Sequence, residues 1–287
     1  MDKLLPSTID IRITQECNKD CEFCFGTQVK SKRVQENWDR LILKLKSAGV
    51  TKIVITGGEP TLIPELGNLV SFAHEKGFTI CLSTNGTLAY REDIDLVLKS
   101  IDWISLPVEG DSFYSHSLIR HDTIDEYNEI FNLMKYAKEK YHVGVKIGTV
   151  ITQLNLHSIE NIPFLIHRFA DNWKLYQVYL EGKSDSIWNK YFVSDSEYYS
   201  IFEKCKQICK RYHGLGCTSY DVSTMNGKYL FCEPNADAMT IYHDTQYIIG
   251  NFLDDFEVVC DEWNKYVNKD RLNNNFNETY RRRLKDE

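Results

Sequence analysis

The sequence predicts an α/β fold, a partial (βα)6 barrel with a small α+β extension at its C-terminal end. Three observations lead there. Apolar strand-like runs alternate with segments of helical period through the first 182 residues. Repeated βα units imply parallel strands joined by right-handed crossovers. Six such units suit an open barrel better than the closed barrel of eight. After residue 190 the rhythm changes, so a core of 1–190 and an extension of 191–287 that closes the active site are expected.

The elements follow in order. Ile9, Ile11 and Ile13 alternate in TIDIRIT, the first strand. Val34, Trp38, Leu41, Ile42, Leu45 and Ala48 recur at helical spacing. KIVITGG (52–58) is a buried strand that stops at glycines, and IPELGNLVSFAHEKG is a helix closed by Gly77. TICLSTNG, WISLPVEG, GVKIGTVIT and KLYQVYLEG supply strands three to six. EDIDLVLKSI, IDEYNEIFNLMKYAKEK and IENIPFLIHRFA are the helices between them. Beyond residue 190, SEYYSIFEKCKQICKRYH is one amphipathic helix. TSYDVSTMNGKYLFC is expected to form a hairpin about Asn226-Gly227. MTIYHDTQYIIGN adds short strands, a helix runs through Trp263 and Tyr266, and the charged tail is expected to fray.

Composition narrows the function. The 287 residues carry 34 basic and 41 acidic side chains, a formal charge of -7, which disfavours nucleic acid as a partner. No run reaches the ~18 apolar residues of a membrane span. The start of the chain lacks the apolar region of an export signal. Nine cysteines, an odd number, then predict reduced thiols and a cytoplasmic location.

Three of those cysteines stand close together. Cys17, Cys21 and Cys24 have the spacing C-x3-C-x2-C in CNKDCEFCFGTQVKSK (17–32), a polar loop just past the first strand. Buried structural cysteines do not collect in a polar loop. Zinc would want a fourth cysteine or histidine. A disulfide leaves one thiol over. Three thiolates suit a [4Fe–4S] cluster with one iron left open to a ligand.

With that loop placed after the first strand of a βα chain, the sequence resembles the radical S-adenosylmethionine superfamily. The similarity extends to GGEP (57–60), the superfamily's motif for the methionine amine, and to STNG at the end of the third strand. The resemblance implies a [4Fe–4S] cluster on Cys17, Cys21 and Cys24, an external electron donor, and S-adenosylmethionine held by Phe23, Gly57, Gly58, Glu59, Pro60, Ser83, Asn85 and Ser105. Glycines let backbone approach a ligand, and Glu59 can neutralise an ammonium.

A narrower resemblance is to the viperin-like nucleotide-modifying enzymes. It rests on the cysteine loop and on AGVTKIVITGGEP, VKIGTVITQLN, NWKLYQVYLEG, YFVSDSEY and TSYDVSTMNGKYLFC, which together span most of residues 9 to 232. It implies removal of the 4'-hydrogen of a nucleoside triphosphate and loss of its 3'-hydroxyl. The product, a 3'-deoxy-3',4'-didehydro nucleotide, terminates polymerase chains in antiviral defence. Tyr220 takes the place of the tyrosine that returns a hydrogen atom. Lys30, Arg120, Lys146 and Lys174 are implied as the cationic cradle of the phosphates. Lys146 also stands out from its residues alone, because a lysine in the apolar run GVKIGTVIT needs a partner.

The chain departs from the viperin-like pattern in places. Gly148 stands where the family has asparagine, Gly26 where it has histidine, and Glu109 is an added acid. EPNADAMTIYHD, after Cys232, lacks the basic lid of the family. Peptide-modifying radical enzymes with extra clusters are the rival reading. Cys205 and Cys209, however, fall on the apolar stripe of their helix, and Cys217, Cys232 and Cys260 form no C-x2-C pair. A cluster protein that only senses is the other alternative.

Overall fold

The computed structural model describes residues 5–26, 37–87, 91–225, 227–243, 245–254 and 256–267. Lys30 lies outside the described residues. Six parallel strands follow the expected order: β1 (Thr8–Arg12), β2 (Lys52–Thr56), β3 (Thr79–Ser83), β4 (Trp103–Pro107), β5 (Gly144–Ile151) and β6 (Asn172–Gln177). Helices α1 (Trp38–Ser47), α2 (Leu66–Glu75), α3 (Ile94–Ser100), α5 (Ile124–Tyr141) and α6 (Ile162–Ile166) lie between them. The sheet continues on both sides. β7 (Gly216–Tyr220) adds parallel to β6, and β8 (Leu230–Cys232) adds parallel to β1. β9 (Asp237–Tyr242) and β10 (Thr245–Asn251) then run antiparallel beyond β8. α9 (Phe256–Tyr266) follows, through Trp263 and Tyr266 as expected.

The expected hairpin about Asn226-Gly227 does not form. β7 pairs with β6 and β8 with β1, so the segment between them joins the two opposite sides of the barrel. Periodicity and a turn signal cannot tell a hairpin from such a crossing, because the partner of each strand is distant in sequence. The antiparallel pairs are β8–β9 and β9–β10 instead. Two helices were not read from the sequence. α4 (Phe113–Arg120) is short but starts on a capping box formed by Ser112 and Ser115. α7 (Asp185–Tyr191) follows β6.

Strand alternation sorts the side chains onto two faces. Ile9, Ile11, Ile53, Ile55, Ile80, Leu82, Ile104, Val145, Ile147, Trp173 and Leu175 join one buried cluster with the helices. The alternate residues Asp10, Arg12, Ser83, Ser105, Lys146, Lys174 and Tyr220 line cavities on the other face. A fully apolar helix face and a polar inner face are what a binding barrel needs. α8 (Asp195–Cys209) buries Tyr198, Ile201, Phe202, Cys205 and Cys209, as its apolar stripe predicts. Cys205 and Cys209 are core residues of that helix.

Candidate active site

The cysteine loop leaves β1 and immediately crosses the end of β2. Gly58 N donates to Thr14 O at 2.7 Å, and Glu59 N donates to Glu16 O at 2.8 Å. Both glycines are required by this crossing. A Cβ on Gly57, whose φ is +151°, would lie 2.4 Å from Thr14 O, and one on Gly58 would lie 2.1 Å from Glu16 O. So the glycines that sequence reading gave to the ligand also seat the loop that carries the cysteines.

Cys17, Cys21 and Cys24 line one cavity of about 580 Å³ together with Phe23, Gly57, Gly58, Glu59, Ser83, Asn85, Ser105 and Arg120. Burial pushes the Cys21 thiol up to about 11, against the nearby charge of Arg120. Burial raises Cys17 as well, and the charges of Glu59 and Cys24 add to it. Metal binding must therefore displace protons from these thiols. Among the described residues, no three His, Cys, Asp or Glu side chains converge on one ion position. A cluster takes one cysteine per iron, so its three ligands need not converge on a point.

Glu59 is buried in the wall of this cavity. Its Oε1 accepts from Thr61 N at 3.0 Å and from Thr84 Oγ1 at 2.7 Å, and its Oε2 accepts from Asn85 N at 2.7 Å. Three donors fix the carboxylate and tie the end of β2 to the end of β3. Asn85 reaches back to the cysteine loop, where its Nδ2 donates to Asn18 Oδ1 at 2.7 Å. Pro60 lines neither cavity. It opens a 3-10 turn, Pro60–Leu62, which Glu59 caps.

Arg120 ends α4 on the cysteine side of the site. Its Nη1 donates to Glu109 Oε1 at 3.3 Å, and its Nε lies 4.0 Å from Asp122 Oδ2. Glu109 is held in turn by Val150 N at 2.7 Å. Asp122 meets His116 Nε2 at 2.8 Å and Lys19 Nζ at 2.9 Å, the latter from the cysteine loop. His116 Nδ1 accepts from Glu109 N, which leaves Nε2 to carry the ring proton toward Asp122. Sequence reading placed Arg120 with the phosphate lysines. The structure does not bring them together, since Arg120 lines the cysteine cavity and Lys146 and Lys174 line a second one.

That second cavity, of about 330 Å³, lies inside the barrel. It shares Arg12, Phe23, Cys24, Gly57 and Tyr176 with the first, so the two are continuous. Lys174 Nζ sits 4.4 Å from the Tyr220 ring centre and 5.0 Å from that of Tyr176. Burial and the charge of Lys146 lower the Lys174 ammonium to about 7. Tyr198 positions Tyr220: its hydroxyl donates to Leu175 O at 2.9 Å and accepts Tyr220 N at 2.8 Å. The Tyr220 and Tyr229 hydroxyls are hydrogen-bonded to each other.

Arg12 stands at the junction of the cavities. Its Nη1 donates to Glu233 Oε1 at 2.7 Å, and its guanidinium lies 4.5 Å from the Phe231 ring centre and 5.3 Å from that of Phe25. Glu233 is the first acid after Cys232. The acidic turn there supplies a buried counter-charge to the barrel wall.

A model of the Radical SAM superfamily matches residues 11–165. The chain belongs to that superfamily. Its [4Fe–4S] cluster and S-adenosylmethionine follow from the membership, and the donor set of the first cavity fits them. Three cysteines line it, and among the described residues no fourth cysteine or histidine does. Beside them lie a buried carboxylate, Glu59, and a partly buried cation, Arg120, a pair that suits the ammonium and carboxylate of an amino acid. The chain is 26% identical over 206 residues to an S-adenosylmethionine-dependent nucleotide dehydratase of Flammeovirga pacifica, covering 68% of this chain and 70% of that one. It is 23% identical over 272 residues to one of Selenomonas ruminantium, covering 89% and 94%. Streptococcus suis SuiB bound to S-adenosylmethionine shares the fold, with a TM-score of 0.71 at 18% identity over 90% of this chain and 65% of SuiB. Among the described residues, no helix of this radical SAM enzyme is long and apolar enough to cross a membrane.

Sequence reading missed Asp10, Arg12, Tyr176, Tyr229 and Glu233. Asp10 and Arg12 had a visible signal, two charges on alternate positions of an otherwise apolar strand. Nothing local marks Glu233 as the partner of Arg12 across the sheet.

Proposed function

We propose that this radical SAM enzyme is a nucleotide dehydratase of the viperin-like kind, removing the 4'-hydrogen and the 3'-hydroxyl of a nucleoside triphosphate. The observation that carries the reading is the polar cavity inside the barrel. Three cations, Arg12, Lys146 and Lys174, face a tyrosine-rich wall, and the space opens onto the cysteine cavity. Lys146 and Lys174 would hold phosphates. Tyr220 would serve the sugar, and Phe23 the adenine of the cofactor. Cys17, Cys21 and Cys24 would ligate the cluster. Gly57, Gly58, Glu59, Ser83, Asn85 and Ser105 would hold S-adenosylmethionine, with Arg120 at its carboxylate rather than at the substrate. When bound, the pair supplies a 5'-deoxyadenosyl radical able to take hydrogen from an unactivated C–H bond. The protein's part is to position the sugar and exclude water. The names of the relatives point the same way.

The test is a substrate screen. Reduced protein is incubated with S-adenosylmethionine and each common nucleoside triphosphate, and 5'-deoxyadenosine is followed. Release rising at least ~10-fold with one triphosphate is expected. Indifference to all of them would sink the nucleotide reading and leave peptides as the next class to screen.

A further inference from the structure

We propose that Asp10 is the proton donor to the hydroxyl that leaves the substrate sugar, an inference that rests on the dehydratase reading. Asp10 lies on β1, one alternation below Arg12, with its side chain facing into the barrel. Among the described residues that line the inner cavity it is the one carboxyl group. Its surroundings come from the whole circumference. Lys146 of β5, Lys174 of β6 and Arg12 of β1 act on its charge. Tyr229, Tyr220 and Tyr176 feel its charge in turn, and Lys228 and Cys81 act on the charge of Lys174.

The reaction needs an acid at this place. Once the neighbouring carbon is a radical, the C–O bond breaks with its electron pair going to oxygen. Hydroxide leaves poorly from a buried site, whereas water leaves readily once a proton is supplied. Arg12 cannot give one. Lys146 and Lys174 would each lose the charge that holds the phosphates. The tyrosine hydroxyls are weaker acids, raised further by burial. The Asp10 carboxyl is pushed up to about 6 by burial, and the lysines restrain it. A bound polyanion that occupies those lysines removes the restraint and raises it further, toward neutrality.

The balance closes with one electron. Water leaves with the proton of Asp10, which becomes a carboxylate, and the sugar is left one electron short. Tyr220 supplies that electron, and its phenolic proton returns to Asp10 by way of the hydrogen-bonded Tyr229. A low-potential one-electron carrier, the class of donor that each turnover already requires, then reduces the tyrosyl radical with a proton from solvent.

Asp10→Asn tests the assignment, because it keeps the shape and removes the acidic proton. With holoenzyme and the triphosphate found by the screen, 5'-deoxyadenosine release is expected to continue. Dehydrated product per 5'-deoxyadenosine should fall ~100-fold or more. Triphosphate binding to the unreduced holoenzyme, measured by titration calorimetry, is expected to stay within about 3-fold of wild type, a change worth under 1 kcal/mol. In wild type the same ratio should fall as pH rises past the Asp10 pKa, and in Asp10→Asn it should be flat. Asp10→Glu, which restores a carboxyl, should recover part of the ratio and the pH slope. An unchanged ratio in Asp10→Asn would overturn the proposal, and so would loss of triphosphate binding in both variants. Indifference of wild type to every triphosphate is a separate result that removes the dehydratase reading, and this proposal with it.

Discussion

The two cavities of this barrel are built in different ways. The cysteine cavity is made of contiguous pieces of chain: residues 14–26, 57–59 and 83–85 each bring several lining groups at once. The inner cavity takes most of its chemistry as single side chains from separate strands: Asp10 of β1, Lys146 of β5, Lys174 of β6 and Tyr220 of β7. A contiguous site is fixed by local turns and backbone hydrogen bonds. A dispersed site is fixed by strand register, so its residues can change one at a time while the frame persists. That difference separates the cofactor chemistry of a superfamily from a substrate choice that can vary on one fold.

The contrast can be broken most severely at the cluster loop. Cys24→Ala should drop the iron content from about four per chain to near zero after reconstitution. An intact cluster absorption spectrum in that variant would contradict the ligand assignment. Gly58→Ala comes next. Its methyl group would meet Glu16 O at 2.1 Å, a backbone atom that cannot turn aside. The cysteine loop has to move, at a cost of about 1–3 kcal/mol. A lower melting temperature and a fall in bound iron should appear together. A fall in melting temperature with full iron loading would mean that the loop and the glycines are independent.

The inner cavity should respond more gently and without loss of the cluster. Lys174→Met removes one cation and keeps the stem against Tyr176 and Tyr220. Triphosphate affinity is expected to fall ~10-fold or more, with iron content unchanged. Its pH dependence has a definite sign. The Lys174 ammonium is held down to about 7, so before a ligand binds this lysine is charged below that pH and neutral above it. Wild-type affinity should therefore weaken as pH rises through 7 to 8, and the Lys174→Met profile should be flatter there. Equal slopes would place the titration elsewhere.

The same contrast explains what could be read from the sequence. The six strands, α5, α8 and α9 carry strong periodicity, and the cysteine loop, GGEP and STNG are contiguous. All were legible. The crossing from β7 to β8 was not, because a turn signal says nothing about which distant strand each end will meet. Arg120 was grouped with the phosphate lysines, whereas it lines the cysteine cavity, and the reason is related. It lies on α4, an eight-residue helix whose start is marked only by Asp111, Ser112 and Ser115, and that helix turns it toward Glu109 and the cysteines. Tyr198 falls within the segment that the sequence marks as an amphipathic helix, and it lies on the buried face. That pattern accounts for its ring and is silent about the hydroxyl that ties β6 to Tyr220.

The smallest expected effect tests whether such a missed element matters. Ser112 caps α4, where its Oγ accepts Ser115 N at 3.3 Å and Ser115 Oγ accepts Ser112 N at 3.1 Å. Ser112→Ala removes one half of this box, at a cost of about 1 kcal/mol. For a chain of this size that lowers the melting temperature by roughly 2–4 °C. Arg120 sits at the far end of the same helix, so its grip on the cofactor should loosen slightly while the inner cavity is untouched. We expect S-adenosylmethionine affinity, measured by titration into the reconstituted protein, to fall about 2–3-fold, well under 1 kcal/mol, with triphosphate affinity unchanged. Equal weakening of both ligands would show that α4 supports the barrel as a whole, and the two cavities would then be less separable than their construction implies.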